Sequence, residues 1–148
     1  VKRLKSIGAV FAAVSLAAAA LAQVSDVNPK AELKRSVERG KALFSDESLG
    51  TGAMSCNDCH LEGGTKDGAM GNMPIRAFHS LAAEYPKFFK MANRVMTLDQ
   101  VVNWCILTPM KGTPLEWDDQ RLADLVAYTA SVRGERTERP EKEAQKGK

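Results

Sequence analysis

The run Cys56-Asn57-Asp58-Cys59-His60 constrains this chain more than any other feature. Its CxxCH spacing sets two thiols and an imidazole in five consecutive residues. In that arrangement the thiols add across the vinyl groups of a haem, and the imidazole coordinates its iron. Other uses of paired cysteines make demands that the rest of the sequence does not meet. A structural zinc site needs a second Cys or His pair, and a thioredoxin-like motif needs a βαβ setting. Cys105 is the third and last cysteine, and no run reads as alternating strands. The expectation is one covalently attached haem c, held by Cys56 and Cys59, with His60 as an iron ligand.

The N-terminal segment supplies the compartment such chemistry needs. Lys2, Arg3 and Lys5 precede an almost uninterrupted apolar stretch from Ile7 to Leu21, closed by the small-x-small sequence Ala20-Leu21-Ala22. This is the pattern of a secretory signal peptide over residues 1–22, too short and too rich in Ala for a membrane anchor. Cleavage after Ala22 implies export to the periplasm with no membrane span remaining. The 21 Lys and Arg against 18 Asp and Glu become 18 against 18 once the three bases of the signal are removed. A neutral balance gives no argument for nucleic acid or an anionic membrane as a partner. The remaining length suits one domain around one haem.

Residues 23–30 read as a polar leader, residues 31–134 as the haem domain, and residues 135–148 as a charged, disordered tail. The fold class expected is all-α, a cytochrome c-like helical domain. Helix signals run from Ala31 to Phe44, with Leu33, Val37, Leu43 and Phe44 near one face. Gly40 and Phe44 share a face at i, i+4 spacing, as in c-type cytochromes whose first helix crosses the last one closely. Leu61 to Pro74 reads as a Gly-rich loop over one haem edge. Ala77 to Ala92 reads as a short helix broken at Tyr85-Pro86. Thr97 caps a helix that ends before Pro109. The last helix starts at Asp118 or Asp119, carries Leu122, Leu125, Val126, Tyr128 and Thr129, and runs to about Arg133, where Gly134 stops it.

The sixth iron ligand is the open chemical question. Met70, Met73, His79, Met91, Met96, Cys105 and Met110 all follow the haem motif. A Met at helical spacing is ordinarily core filler, and a lone His is ordinarily surface or hydrogen-bonded structure. Cys105 differs, because an exported protein with one unpaired thiol needs a reason for it. Met110 keeps a claim of its own, set between Pro109 and Lys111 near Gly112.

Further pieces follow in a fixed order: Leu61-Glu62-Gly63-Gly64, Tyr85-Pro86, Thr97-Leu98-Asp99 leading to Asn103-Trp104-Cys105, Met110-Lys111-Gly112-Thr113-Pro114-Leu115, and Leu125-Val126-Ala127-Tyr128. On these pieces, Cys56 to Val132 resembles the haem domains of bacterial thiosulfate dehydrogenases and of the A subunit of the sulfur-oxidation complex. The resemblance implies that Cys105 is the iron ligand opposite His60. It also implies arginines two residues before the Asn of the Asn-x-Cys run and three residues after the cysteine. This chain has Val101 and Thr108 there, and neither supplies charge to an anionic sulfur substrate. Lys90, Arg94 and Lys111 are the bases that could compensate. The dehydrogenases carry a second haem domain, so a single-haem chain must hand its electrons to another protein.

Two functions of different class stay open on the sequence. The favoured one is a periplasmic monohaem electron carrier between redox proteins, soluble or membrane-bound, among them a second cytochrome subunit. The alternative is an enzyme or subunit oxidising thiosulfate at the Cys105 side of the haem. A sensor of a small ligand such as NO is a third reading that nothing in the sequence selects.

Overall fold

In a computed structural model the chain is described over residues 27–51 and 53–134; the signal peptide, the first half of the leader and the tail expected from the sequence lie outside them. Helix α1 spans Pro29–Phe44. It begins two residues before Ala31 because Pro29 takes the first helical position, where its missing N–H costs nothing. The Asn28 side chain accepts the Lys30 and Ala31 N–H groups at 3.1 Å each. A 3₁₀ turn at Glu47–Leu49 leads to α2 (Cys56–Cys59) and α3 (Leu61–Gly64), a single turn kinked at left-handed Glu62 and Gly63. Next come hairpin β1–β2 (Gly68–Met70, Met73–Ile75), α4 (Leu81–Glu84), and hairpin β3–β4 (Lys87–Phe89, Arg94–Met96). Helices α5 (Leu98–Leu107) and α6 (Gln120–Ser131) close the chain.

The all-α expectation holds for the helical framework and fails for two connections. Where a loop was expected, β1 and β2 pair antiparallel with Met70 opposite Met73. The signal for it is Gly71-Asn72, a two-residue hairpin turn with Gly71 at φ 58°. Where the second half of a broken helix was expected, β3 and β4 pair with Phe88 opposite Val95. The Tyr85–Pro86 bond is cis, and beyond it the aromatic and β-branched residues favour strand. The capping of α5 follows expectation, with the Thr97 N–H donating to Gln100 Oε1 at 3.1 Å. Asp119 caps α6 by accepting the Arg121 N–H at 2.9 Å.

Helices α1 and α6 cross at Gly40. A Cβ there would collide with the Asp124 carbonyl and the Tyr128 side chain, so the backbones meet at a distance only glycine permits. Beside the crossing, the Asp124 carboxylate is 2% exposed. It accepts Ser36 Oγ at 2.7 Å, Arg39 Nε at 2.7 Å and Gln120 Nε2 at 2.9 Å. These charge-assisted bonds hold its acid well below the ordinary 3.8, at about 2, with Arg39 the largest contributor. The apolar core next to the crossing includes Phe44, Phe78, Ile106, Leu122, Leu125 and Tyr128. Phe44 meets the rings of Tyr128 at 5.2 Å and Phe78 at 6.0 Å, both edge-on.

Candidate haem site

The CxxCH run is a structured turn in its own right. The Ser55 N–H and hydroxyl both donate to Asp58 Oδ2 at 2.7 Å, which fixes the start of α2. Asn57, between the two cysteines, accepts the Gly63 N–H at 2.7 Å, and Tyr128 Oη donates to the Gly63 carbonyl at 2.9 Å. The motif is thereby tied to α6. Gly64 sits at φ 86° directly against the Phe78 ring, where no side chain fits. Its carbonyl accepts the Phe78 N–H at 2.7 Å, which holds that ring 4.5 Å from His60. Phe44 flanks the imidazole on another side at 6.2 Å.

Helix α5 supplies the opposite wall. Its Asn103 side chain grips Leu115 at both backbone groups, donating to the carbonyl at 2.8 Å and accepting the N–H at 2.9 Å. The segment between them is therefore a closed loop. Within it the Met110 N–H donates to the Cys105 carbonyl at 3.3 Å, and the Gly112 N–H donates to the Ile106 carbonyl at 2.8 Å. Thr51 braces it from outside, donating its N–H to the Met110 carbonyl and its hydroxyl to the Lys111 carbonyl, both at 3.0 Å. Met110 ends up 2% exposed.

The two walls enclose a cavity of about 300 Å³, within the range of cofactor sites. Cys56, Cys59, His60, Cys105 and Met110 all line it, as do Met54, Met70, Met73 and Met91. Two sequence candidates fall elsewhere. His79 turns its Nδ1 to the Gly134 carbonyl at 3.4 Å, and Met96 is buried away from the cavity. Among the lining residues there is no Asp, Glu, Lys or Arg. Val101 lies in the wall, whereas Thr108, Lys90, Arg94 and Lys111 do not line it.

This dry setting governs every titratable group in the site. Burial pushes the Cys56 thiol up to about 11 and raises Cys59 as well. Burial takes Cys105 up to about 12, with Cys56 and Cys59 nearby adding to it. The same desolvation lowers His60 to about 4, so its imidazole is neutral at ordinary pH. Its Nδ1 is buried with no hydrogen-bond partner, so no protein group fixes the tautomer through that atom. A neutral imidazole and three unpaired thiols facing one apolar cavity is a donor set for a soft or borderline metal centre.

Residues 39–136 match the family described as SoxA/TsdA, cytochrome c domain. The chain belongs to this family. It is similar to the L-cysteine S-thiosulfotransferase subunit SoxA of Rhodovulum sulfidophilum, 37% identical over 98 residues, 65% of this chain and 29% of that protein. It is also similar to the thiosulfate dehydrogenase of Stutzerimonas stutzeri (strain A1501), 31% identical over 99 residues, covering 63% of this chain and 30% of that protein. The thiosulfate dehydrogenase of Allochromatium vinosum is 28% identical over 107 residues, 68% of this chain and 38% of that protein. The chain thus spans about a third of the length of these relatives. Membership in a cytochrome c domain family implies a c-type haem. The cavity fits one: apolar walls for the macrocycle, two thiols on one short helix for the thioethers, and a neutral imidazole beside them.

Sequence reasoning missed Asn103, Asp124 and Phe78 as determinants of the site. Asn103 appeared only as a letter of a motif, and its partner Leu115 is 12 residues away. Asp124 was hidden on a helix with charged neighbours. Its signal was an acidic residue one turn before Tyr128 on the same helix face.

Proposed function

We propose that this chain is a periplasmic monohaem cytochrome that passes single electrons between redox partners in the oxidation of sulfur compounds. Cys56 and Cys59 would hold the haem through thioethers, and His60 and Cys105 would ligate its iron. When bound, the haem supplies a one-electron iron centre whose potential the axial ligands set. The chain's own part is to hold and insulate that centre. Phe44 and Phe78 fix the plane of the His60 ring, and the apolar walls exclude water. Cys105 keeps its proton in this medium up to about 12; a coordinating metal deprotonates a thiol outright.

The observation that carries the carrier reading is the uncharged wall. An anionic substrate needs positive donors in a partly dry pocket, and the lining residues include none. The names of the relatives favour a second reading, in which a sulfur anion is turned over at Cys105. The test uses the exported protein. Haem staining on a denaturing gel is expected to vanish in the Cys56→Ala/Cys59→Ala variant, and iron to equal chain in the wild type. Thiosulfate added to the oxidised protein is expected to leave the haem spectrum unchanged. Undiminished staining in the double variant refutes the attachment, and thiosulfate-dependent haem reduction lost in Cys105→Ala establishes the enzyme instead.

A further inference from the structure

The β3–β4 hairpin has two faces of opposite character. On the inner face, Phe89 and Met91 line the cavity, and Phe89 meets the ring of Trp104, the neighbour of Cys105, edge-on at 5.1 Å. On the outer face, Phe88 and Val95 are cross-strand partners, 55% and 64% exposed. An aromatic and a β-branched residue left together in solvent on one face of a hairpin form an uncovered apolar contact. Lys90, in the turn, and Arg94, the cross-strand partner of Phe89, are both exposed at the turn end of the hairpin, and no acidic residue occurs from Tyr85 to Leu98. Lys87 is engaged, donating to Glu84 Oε2 at 2.8 Å and lying over the Tyr85 ring at 4.4 Å.

Resting on the carrier reading, we infer that the outer face of this hairpin is where the chain docks an acidic one-electron redox protein. Phe88 and Val95 form the dry centre of the contact, and Lys90 and Arg94 form its positive rim. Such a rim steers a negative partner and sets register, while a small apolar centre keeps the complex short-lived. The placement also serves the chemistry, because a partner seated there is separated from the cavity by the thickness of one hairpin. In the transfer one electron leaves the ferrous haem iron and the partner's oxidised centre gains it. No atom or proton needs to move. A protein is favoured over an anionic membrane because two cations and two apolar side chains are a small anchor for a bilayer.

Plastocyanin, an acidic copper protein, serves as the probe. Oxidation of the ferrous, haem-loaded chain by Cu(II) plastocyanin is followed across a salt series, with the cation hexaammineruthenium(III) as a small control oxidant. The Lys90→Glu/Arg94→Glu variant is expected to react about tenfold or more slowly with plastocyanin at low salt, the gap closing at high salt. Phe88→Ser/Val95→Ser is expected to slow the reaction without changing its salt dependence. Neither variant is expected to slow with hexaammineruthenium. Amide shifts of isotope-labelled chain titrated with plastocyanin are expected to centre on residues 87–95. Unchanged plastocyanin rates in both variants, or shifts centred on Trp117 or elsewhere, overturn the inference. Sedimentation with phosphatidylglycerol vesicles in place of any response to plastocyanin overturns it too. Reaction with hexaammineruthenium but not with plastocyanin removes the docking face and leaves the carrier; reaction with neither removes both.

Discussion

Cys105 and Met110 reach the same cavity by different routes, one from the body of α5 and one from the loop that Asn103 closes onto Leu115. Their chemistry separates them. A thiolate is electron-rich and stabilises ferric iron, whereas a thioether favours the ferrous state. With Cys105 as ligand, Cys105→Ala is expected to change the low-temperature electron paramagnetic resonance spectrum of the oxidised protein and to raise the reduction potential. Met110→Ala is expected to leave a low-spin ferric haem. A Cys105→Ala variant with unaltered spectrum and potential, alongside a high-spin Met110→Ala, makes Met110 the ligand. The haem motif was legible because its chemistry is complete within five residues. The choice between Cys105 and Met110 was not, because spacing along the chain does not say which donors a fold brings to one wall.

Among the elements, the α1–α6 crossing is the joint on which the site depends. Tyr128, on the face of α6 that Gly40 meets, also holds the Gly63 carbonyl three residues beyond the haem motif. Asp124 beside it gives the joint a pH dependence whose sign follows from its lowered acid constant. The folded protein binds a proton on Asp124 less readily than the unfolded chain does. Its contribution to stability is therefore fully present above the ordinary value of 3.8 and is lost as pH falls through about 2. Asp124→Asn is expected to lower the denaturant midpoint near neutral pH, and the gap from wild type should narrow between about pH 4 and about pH 2. Midpoints measured at several pH values check this, and a constant gap contradicts it. The long elements were readable from periodicity and caps, as Thr97 and Asp119 show. The hairpins escaped because strands of three residues carry too few alternations to register as a period.

Across the whole molecule, the cavity and the core share one lining. Phe44, Phe78, Met110 and Leu125 belong to both. A chain that fails to acquire haem therefore has an apolar interior open to water. Haem-free protein, made as the Cys56→Ala/Cys59→Ala variant, is expected to melt at lower temperature than the holoprotein and to bind a hydrophobic dye that the holoprotein excludes. Equal melting and no dye uptake indicate an interior that closes without the cofactor. The helical framework was legible from the order of its motifs, and the two hairpins were not. The shaping of the cavity walls by Gly64 against Phe78, and by the Thr51 brace on the Met110 loop, depends on contacts between distant segments that no local pattern records.

The clasp between Ser36 and Asp124 joins residues 88 apart in the chain, and that distance orders events in time. Closing so long a loop costs entropy that only the finished contacts return. In a chain that emerges from its N-terminus, Cys56 and Cys59 are in place well before α6 exists to cross α1 or to bond Gly63. Both thiols thus pass through a stage in which the haem motif is not yet tied to the last helix through Tyr128 and Gly63.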